Sequence, residues 1–285
     1  MTESGTIAYA GEPGAFAEDA VIAYFGADPV RVGHASFRRV FEAVEGGDAV
    51  AGVLPIENVV NGTVRENYDL LLEHELTVVG EVVVPVRLCL AALPGQRLDD
   101  IERVYSHIQA LGQAEAFLRT RPWQLLSTYN TAGAGKSIVD RAERGSAAVL
   151  SPRAAGLFGL EVLADEIGDL PGNRTRFLVI RTPDTVPPED AASRPDGPMR
   201  TTLVMTVKNE PGTLLAALRV FAEHGLNMSE LESRPSRERA WEYVFWVELD
   251  ADAAAPGTQA ALAGLRAVTT MVRVLGSYPR ADDGV

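Results

Sequence analysis

The sequence predicts an α/β protein of two domains, of which the first contains two α/β lobes and the second a small split sheet. Three features predict this class. Short β-branched runs alternate with amphipathic helical patterns up to residue 180, a proline-rich stretch follows, and a second strand–helix series comes after it. The chain has 285 residues, which suits two domains of roughly 100–200 residues each.

The first series supplies the elements of the larger domain. The candidate strands are residues 5–10, 49–54, 77–84, 103–106, 146–150 and 174–180, and the candidate helices are residues 14–24, 37–45, 64–74, 109–119, 132–143 and 152–158. Alternation of this kind indicates a largely parallel sheet flanked by helices. Because these elements are many for one sheet, and the long run 77–91 can cross between two, we expect two lobes with a cleft between them.

A proline-rich stretch separates the two domains. Residues 181–200 hold Pro183, Pro187, Pro188, Pro195 and Pro198, five of the chain's 17 prolines. Proline removes a backbone donor and disfavours helix at the residue before it. We therefore expect an extended linker at 182–199, between a first domain at 1–181 and a second at 200–280.

The second series has the order βαββαβ. Its segments are the strand TTLVMTV, the helix GTLLAALRVFAEHG, the strands LNMSELES and WEYVFWVEL, the helix APGTQAALAGLRAV and the strand MVRVLGSYP. This order gives a mostly antiparallel split sheet with two helices on one face, a ferredoxin-like architecture. A second copy can cover the exposed edges of so small a sheet, so we expect a homo-oligomer, a dimer or tetramer, formed through this domain.

The composition argues against several classes of function. Lys and Arg number 26 against 39 Asp and Glu, a net charge of −13, which disfavours nucleic acid and anionic membranes as partners. The sequence has no recognisable signal peptide and no apolar stretch long enough for a membrane span. Cys89 is the single cysteine, no Cys/His spacing suggests a metal, and we expect this thiol to be a small buried hydrophobe. These features predict a cytoplasmic protein that uses no cofactor and no metal.

Polar and glycine-rich clusters follow the predicted strands or precede the predicted helices. They are residues 11–16, 55–58, 61–63, 106–109, 130–133 and 151–153. Ligands of open α/β sheets bind beyond the carboxyl ends of the strands, where helix N-termini attract anions. We therefore expect several of these strand ends to meet at one cleft and to hold a small dianion.

Several of these residues also have a purely structural interpretation. Glu57 lies in an apolar context, so its carboxylate must be paired, hydrogen-bonded or functional. Ser106 and Thr131 can be helix N-caps, and His107 can be a core histidine whose hydrogen bonds are satisfied. The donor-rich cluster NRTRF at 173–177 suits a carboxylate ligand but can also be a solvated strand entry.

Eight segments, in order along the chain, carry a resemblance to a known family. They are GEPGAF, GVLPIENVVNGTV, YSHIQALGQAEAFL, NTAGAG, AAVLSPRAAGLFGLEVL and NRTRFLVI in the first domain, and NEPGTLLAAL and LESRP in the second. On these segments the chain resembles prephenate dehydratase with a C-terminal ACT regulatory domain. The resemblance implies a lyase that turns prephenate into phenylpyruvate in phenylalanine biosynthesis, with a bilobed catalytic domain like a periplasmic binding protein.

The same resemblance implies roles for particular residues. It makes Thr175 of the TRF motif the key catalytic residue, with Glu57 and Asn58 of the PIEN motif as its catalytic partners. Glu57 then either orients donors or destabilises the carboxylate that leaves the ring. The implied substrate contacts are Ser106, His107, Gln109, Thr131 and Arg176. The implied contacts of a phenylalanine effector between two ACT domains are Pro211, Gly212, Thr213, Leu214, Glu232, Ser233, Arg234 and Pro235.

The chain departs from the family pattern at four positions. Ile108 stands where the family usually has proline, and Val59 stands where it often has serine or threonine. Thr213 and Leu215 replace the usual alanine and valine of the regulatory segment. We expect Thr175 to donate a hydrogen bond to the departing hydroxyl. Three alternatives stay open: an arogenate dehydratase, a prephenate decarboxylase that retains the hydroxyl, and a non-catalytic sensor of amino or keto acids.

Overall fold

The computed structural model describes residues 5–185, 197–235 and 243–281, which are distributed over two units. The first unit takes in the chain up to His74 together with Val82–Val179, and the second takes in Glu75–Glu81 and the chain from Ile180 onward. Residues 186–196 of the predicted linker, with Pro187, Pro188 and Pro195, lie outside the described residues.

Strands and helices alternate through the first unit, as the sequence predicts. In chain order, the strands of the described residues are β1 (Thr6–Ala10), β2 (Val30–His34), β3 (Ala51–Asn58), β4 (Gly62–Thr63), β5 (Thr77–Pro85), β6 (Cys89–Ala92), β7 (Arg103–His107), β8 (Gln124–Thr128), β9 (Ser146–Leu150), β10 (Glu161–Ala164), β11 (Arg174–Arg181), β12 (Met199–Thr206), β13 (Met228–Pro235), β14 (Tyr243–Leu249) and β15 (Met271–Pro279). The α-helices are α1 (Phe16–Phe25), α2 (Phe37–Glu45), α3 (Arg65–Glu73), α4 (Ile108–Gln113), α5 (Glu115–Leu118), α6 (Thr131–Asp140), α7 (Pro152–Leu157), α8 (Thr213–Glu223) and α9 (Pro256–Val268).

One sheet forms the centre of the first lobe. Its strand order is β2-β1-β3-β11-β5, with β4 paired to β3, and β1 is parallel to both β2 and β3. Helix α2 begins after Ser36, whose side chain accepts from the Arg39 N–H, and it buries an apolar stripe that includes Phe41. Because β1 and β3 are parallel, the loop after β1 and Asn58 at the end of β3 lie at the same edge of this sheet.

A second sheet forms the other lobe. Its order is β10-β6-β9-β7-β8; β7 is parallel to β8 and β9, whereas β6 is antiparallel to β9 and β10. Every residue of β9 is buried, which is typical of a strand covered on both faces. The carboxyl ends of β7, β8 and β9 therefore lie at one edge.

Cys89 is a fully buried free cysteine, and burial raises its pKa to about 12, so the prediction of a small buried hydrophobe is confirmed.

The run 77–91 passes from one sheet to the other. It forms β5 in the first sheet and β6 in the second, with a break between Pro85 and Cys89 where the Val86 N–H donates to the Asn173 carbonyl at 2.8 Å. The prediction of two α/β lobes is thereby confirmed.

Strands β2, β4, β6, β8 and β10 are absent from the predicted elements, and β4 has only two residues. Strands β2, β8 and β10 occupy the edges of their sheets, and most of their residues are exposed or half-buried. Edge strands need little apolar alternation, so their sequences carry a weak signal. Strand β6 is short and fully buried. In the sequence it belongs to the long apolar run 77–91, so it could not be distinguished from the strand before it.

The second unit contains the predicted split sheet. The order β13-β14-β12-β15 with antiparallel pairing and the helices α8 and α9 confirm the βαββαβ architecture. Helix α8 begins after Gly212, whose φ of 88° lies in the left-handed region that glycine adopts without strain. Its buried side chains Ala217 and Phe221 join the inward residues of the sheet in one core.

A buried ion cluster lies within this second unit. The Arg200 guanidinium contacts both carboxylate oxygens of Glu81, at 3.0 and 2.8 Å, and its Nε lies 3.5 Å from Glu248. All three residues are buried. The Ala281 N–H also donates to Glu81, at 2.9 Å. Glu81 of β5 therefore contacts residues near both ends of the segment 197–281, namely Arg200 and Ala281.

Candidate active site

Two predicted residues of the first lobe are in direct contact. Asn58, the last residue of β3, donates from Nδ2 to Thr175 Oγ1 at 2.9 Å, to the Arg174 carbonyl at 3.0 Å and to Asn173 Oδ1 at 2.9 Å. Asn58 and Thr175 are both 8 % exposed. The neighbouring strands β3 and β11 thus hold the two side chains in contact at a position of the sheet that is almost inaccessible to solvent.

The direction of the bond between Asn58 and Thr175 is fixed by the backbone. Asn58 Oδ1 accepts from the N–H groups of Val60 and Asn61, at 3.1 and 2.9 Å. A backbone N–H can only donate, so the amide orientation of Asn58 is assigned and Nδ2 must face Thr175. Thr175 Oγ1 is therefore an acceptor in this bond, and its own proton is left for another acceptor.

Glu57 and Arg176 form a second pair on the opposite face of the same sheet. Arg176 lies 3.3 Å from the Glu57 carboxylate, and the side chains are 10 % and 48 % exposed, respectively. Successive strand residues point to opposite faces, so the Asn58–Thr175 contact and this ion pair occupy different sides. The Glu57 carboxylate is thus paired, which is one of the three alternatives expected for it, and the structure separates it from Thr175.

Two predicted substrate contacts lie at the end of β7 in the second lobe. Ser106 is fully buried and donates from Oγ to the Val149 carbonyl at 2.6 Å. His107 caps α4, because its Nδ1 accepts from the Gln109 N–H at 3.3 Å. Burial lowers the pKa of His107, so at neutral pH the ring is neutral with the proton on Nε2.

The N-terminus of α6 follows β8 at the same edge. Thr131 is the first residue of this helix, whereas Asn130 caps it by accepting from the Gly133 N–H at 2.5 Å. The alternative interpretation of Ser106 and Thr131 as N-caps is therefore wrong. Ser106 still belongs to β7 and gives its hydroxyl to the neighbouring strand, and the neighbouring residues His107 and Asn130 perform the capping.

A cavity of about 330 Å³ lies between the two lobes. Its walls are Val60, Asn61, Val86, Leu88, Gln109, Gly112, Gln113, Gly168, Asp169, Leu170 and Asn173. The residues that line the cavity include Gln109, one of the predicted substrate contacts. Asn173 belongs to the donor-rich cluster predicted at 173–177, whereas Gln113 was not among the predicted site residues, and only the fold shows that the two share a wall.

Glu12 of the first lobe contacts the second lobe across the cleft. Its carboxylate accepts from the Tyr129 hydroxyl at 2.9 Å and from Lys136 at 3.1 Å. The hydrogen bond from Lys136, opposed in part by desolvation, lowers the pKa of Glu12. Glu12 belongs to the predicted cluster at 11–16, but no local pattern could indicate partners more than a hundred positions away.

A second ionic contact connects the lobes. Arg153 at the start of α7 contacts Glu18 at 2.7 Å and also Asp19, and the Gly14 N–H donates to Glu18 at 2.7 Å. Burial raises the pKa of Glu18, but the bonds from Gly14 and Arg153 outweigh it, and the net pKa is lowered. The Glu18 side chain is 10 % exposed and that of Arg153 is 37 % exposed, so this contact is buried on the carboxylate side only.

The two segments expected to bind phenylalanine lie at one end of the second unit's sheet. In the pairing register Val244 of β14 faces both Thr206, at the end of β12, and Arg234 of β13. The Pro211–Gly212 turn follows β12, so it starts from the same end at which the Glu232–Pro235 segment lies. Strand β13 is an edge of this sheet.

Across residues 5–185, 197–235 and 243–281, no group of three or more His, Cys, Asp or Glu side chains is arranged to hold a metal ion. In the same part of the chain, no helix is both long and apolar enough to cross a membrane.

The sequence of the chain matches two family models and is similar to several relatives. The family model for prephenate dehydratase matches residues 7–185, and the ACT domain model matches residues 201–267. Arogenate dehydratase 5 of Arabidopsis thaliana is 39 % identical, over 96 % of this chain and 67 % of its own length. The bifunctional chorismate mutase/prephenate dehydratase of Aquifex aeolicus is 36 % identical, over 96 % and 74 %.

Solved structures give the same likeness in three dimensions. Prephenate dehydratase from Arthrobacter aurescens in complex with L-Phe has a TM-score of 0.86 and 32 % identity, and the match covers 98 % of this chain and 91 % of that one. A protein described as GqqA, a novel type of quorum-quenching acylase, also has a TM-score of 0.86 and 32 % identity, over 96 % and 98 % of the two chains.

Proposed function

The chain belongs to the prephenate dehydratase family, and from this premise we propose that it converts prephenate into phenylpyruvate in phenylalanine biosynthesis, with Thr175 as the key catalytic residue. The observation that carries the proposal is the bond from Asn58 Nδ2 to Thr175 Oγ1. Its fixed direction leaves the Thr175 proton available to an acceptor other than Asn58, and we assign this role to the departing hydroxyl of the substrate.

The reaction requires a donor of this kind. In prephenate, the bond between the ring and its carboxylate breaks, and the electron pair enters the ring as carbon dioxide leaves. This electron pair expels the ring hydroxyl, so the ring becomes aromatic as hydroxide departs, and the hydroxide takes a proton from solvent to become water. Hydroxide is a poor leaving group, so a hydrogen bond to it stabilises the transition state. Because the Thr175 hydroxyl is a poor general acid at neutral pH, it acts as an oriented donor worth about 3–4 kcal/mol.

Asn58 and Glu57 have different roles in this proposal. Asn58 orients the Thr175 hydroxyl and lies on the same face. Glu57 is bound to Arg176 on the opposite face, so we assign it the positioning of Arg176 and strand β3 rather than contact with the hydroxyl. Arg176, in turn, contributes positive charge to the strand that carries Thr175.

The substrate carboxylates are proposed to bind at the other lobe. His107 offers an Nε2 proton, Gln109 lines the cavity, and Thr131 starts α6, whose first N–H groups have no partner within the helix. Ser106 supports this edge through its bond to Val149.

Arogenate is the second candidate substrate. It differs from prephenate in carrying an amino group where prephenate has an oxo group, and several curated relatives at 37–40 % identity are named arogenate dehydratases. Both substrates lose the same hydroxide, so Thr175 serves either reaction. The test incubates the full chain with each compound at neutral pH and measures phenylpyruvate and phenylalanine without acid treatment. Formation of phenylpyruvate from prephenate supports the proposal, and turnover of arogenate alone selects the second candidate.

An acylase activity, as in the description of the similar structure GqqA, is disfavoured by the same site. An acyl transfer needs a nucleophile with a base within hydrogen-bond reach. Thr175 Oγ1 is bonded to an amide donor, and Ser106 Oγ is bonded to a backbone carbonyl. Both hydroxyls therefore lack an adjacent base in these contacts.

We also propose that phenylalanine regulates the enzyme through the ACT domain, at 200–280, joined by the linker 182–199 to a catalytic domain at 1–181. The proposed contacts are Pro211, Gly212, Thr213, Leu214, Glu232, Ser233, Arg234 and Pro235. In support, the two segments share one end of the sheet, and β13 is an edge that a second copy can cover. Calorimetric titration of the full chain with phenylalanine, and sedimentation of the chain with and without it, test binding and oligomeric state. The absence of heat of binding would refute the effector site.

A further inference from the structure

Among the described residues that line the cavity between the lobes, Asp169 is the one with a charged side chain. The others are apolar, glycine or neutral amide residues. Prephenate is a dianion, so a negative charge on the wall does not help to bind it. Like charges that face each other at a binding site oppose association, whereas opposite charges favour it. The carboxylate of Asp169 therefore points to a ligand that also carries a positive group.

Two contacts with the second lobe hold Asp169 in place. Both oxygens of its carboxylate accept from the Ala116 N–H, at 3.1 and 3.2 Å, and its own N–H donates to the Gln113 carbonyl at 2.7 Å. A carboxylate can accept about four hydrogen bonds, so the Ala116 N–H occupies only part of its capacity. Asp169 is also exposed, and its neighbours Gly168 and Leu170 line the same cavity. The carboxylate is thus both fixed and accessible to a ligand.

Two residues in a chain of hydrogen bonds separate Asp169 from the Asn58–Thr175 pair. Asn58 donates to Asn173 at 2.9 Å, and Asn173 donates to Gln113 at 3.0 Å. The Gln113 carbonyl is in turn the acceptor for the Asp169 N–H. In prephenate and in arogenate, the hydroxyl and the side chain are attached to opposite carbons of the ring. A substrate whose hydroxyl lies at Thr175 therefore extends its side chain away from this residue.

We propose that the cavity accepts arogenate as well as prephenate, and that Asp169 determines the specificity between them by accepting a hydrogen bond from the ammonium group of the arogenate side chain. This inference rests on the proposed function, because it takes the departing hydroxyl to lie at Thr175. Arogenate carries the ammonium at the carbon where prephenate carries an oxo group. The charge-assisted bond stabilises bound arogenate, and prephenate has no donor at that carbon with which to form it.

The bond to Ala116 is also a structural reason for an aspartate at this position, because it satisfies an N–H of the first turn of α5. The test therefore needs a substitution that keeps this bond and removes the charge. Asp169→Asn does both, since its side-chain oxygen still accepts from the Ala116 N–H, whereas a neutral amide attracts an ammonium less strongly. Asp140→Asn is the matched control, because it removes the same charge at an exposed position at the end of α6, outside the residues that line the cavity.

Steady-state kinetics of the full chain with each acid give the ratio of kcat/KM for arogenate to kcat/KM for prephenate. We expect Asp169→Asn to lower this ratio by at least about tenfold, because arogenate loses its charged partner and prephenate is no longer repelled. Asp140→Asn should keep the wild-type ratio. Asp169→Glu retains the charge and should lower the ratio less than Asp169→Asn does. Circular dichroism and melting temperature show whether each variant is folded.

The outcomes separate this inference from the proposed function. An unchanged ratio in Asp169→Asn, or an equal loss with both acids, would overturn the role of Asp169 and leave the function standing. A wild type that uses prephenate and not arogenate would do the same. If the wild type uses arogenate alone, the prephenate proposal fails, and the kcat/KM of Asp169→Asn for arogenate decides the inference.

A binding measurement covers the remaining case. If the wild type uses neither acid, the proposed function fails, and calorimetric titration with arogenate decides the role of Asp169. The inference then requires the dissociation constant of arogenate to rise about tenfold in Asp169→Asn. Equal dissociation constants for the wild type and Asp169→Asn, or no binding of arogenate to either, would overturn it.

Discussion

Asn58 and Thr175 are 117 positions apart in the chain, yet the amide nitrogen of one lies 2.9 Å from the hydroxyl oxygen of the other. The contact exists because β3 and β11 are neighbours in the first sheet. It gives the Thr175 hydroxyl a fixed acceptor role toward Asn58 and leaves its proton for another acceptor.

The first prediction concerns the hydroxyl itself. Thr175→Ala should lower kcat by about 10²–10³-fold while KM changes by less than about threefold, because the lost bond forms chiefly to the departing hydroxide. Thr175→Ser keeps the donor and should retain most of the activity. Steady-state kinetics with prephenate measure both variants. An alanine variant with wild-type kcat would exclude Thr175 from the mechanism.

The second prediction concerns the residue that orients this hydroxyl. Asn58→Asp keeps an acceptor for the Val60 and Asn61 N–H groups but removes the donor to Thr175, so the hydroxyl should turn and donate to the new carboxylate. We expect kcat to fall at least about tenfold, a loss near 1.4 kcal/mol. The double variant with Thr175→Ala should be little worse than Thr175→Ala alone, because the two residues act as one unit. Additive losses would contradict the coupling.

The sequence indicates the fold and part of the site for identifiable physical reasons. Helix α2 was predicted with its observed bounds, 37–45, because its apolar residues repeat at the helical period and Ser36 caps it. Strands β2 and β10 were missed because edge strands with exposed residues lack such a pattern. The Asn58–Thr175 pair was named through two motifs, but its bond direction depends on the backbone of residues 60 and 61. Glu12 contacts Tyr129 and Lys136, and Gln113 contacts Asn173, in each case across the two lobes. No local sequence pattern can predict such distant partners. The catalytic roles of Thr175, Glu57 and Asn58 stay predictions.

The third prediction concerns pH and the contact between the lobes. The Lys136 hydrogen bond holds the pKa of Glu12 below its usual 4.5, so the carboxylate stabilises the fold at pH values above the unfolded pKa. This stabilisation should be lost as the pH falls through the lower pKa of the folded state. Glu12→Gln should melt below the wild type at pH 7, and the difference in melting temperature should shrink as the pH falls below 4.5. The difference at pH 7 should be less than about 1 kcal/mol, because the pair is partly exposed.

A partner variant checks the origin of this effect. Lys136→Met should remove most of the pH-dependent difference, and the double variant with Glu12→Gln should melt like Lys136→Met. A melting curve for Glu12→Gln that runs parallel to the wild type from pH 7 to pH 3 would show that the contact does not stabilise the folded chain.

The fourth prediction concerns the buried cluster of the second unit. Arg200 is the cation between the carboxylates of Glu81 and Glu248. Arg200→Met should leave these carboxylates buried without their guanidinium, and the loss of one partner of a buried pair costs about 3–5 kcal/mol. Scanning calorimetry should show one transition moved to markedly lower temperature. Arg273→Met is the matched control, because Arg273 lies 3.6 Å from a mostly exposed Glu75 and should contribute less than about 1 kcal/mol. Equal shifts for the two variants would mean that burial does not set the strength of the Arg200 cluster.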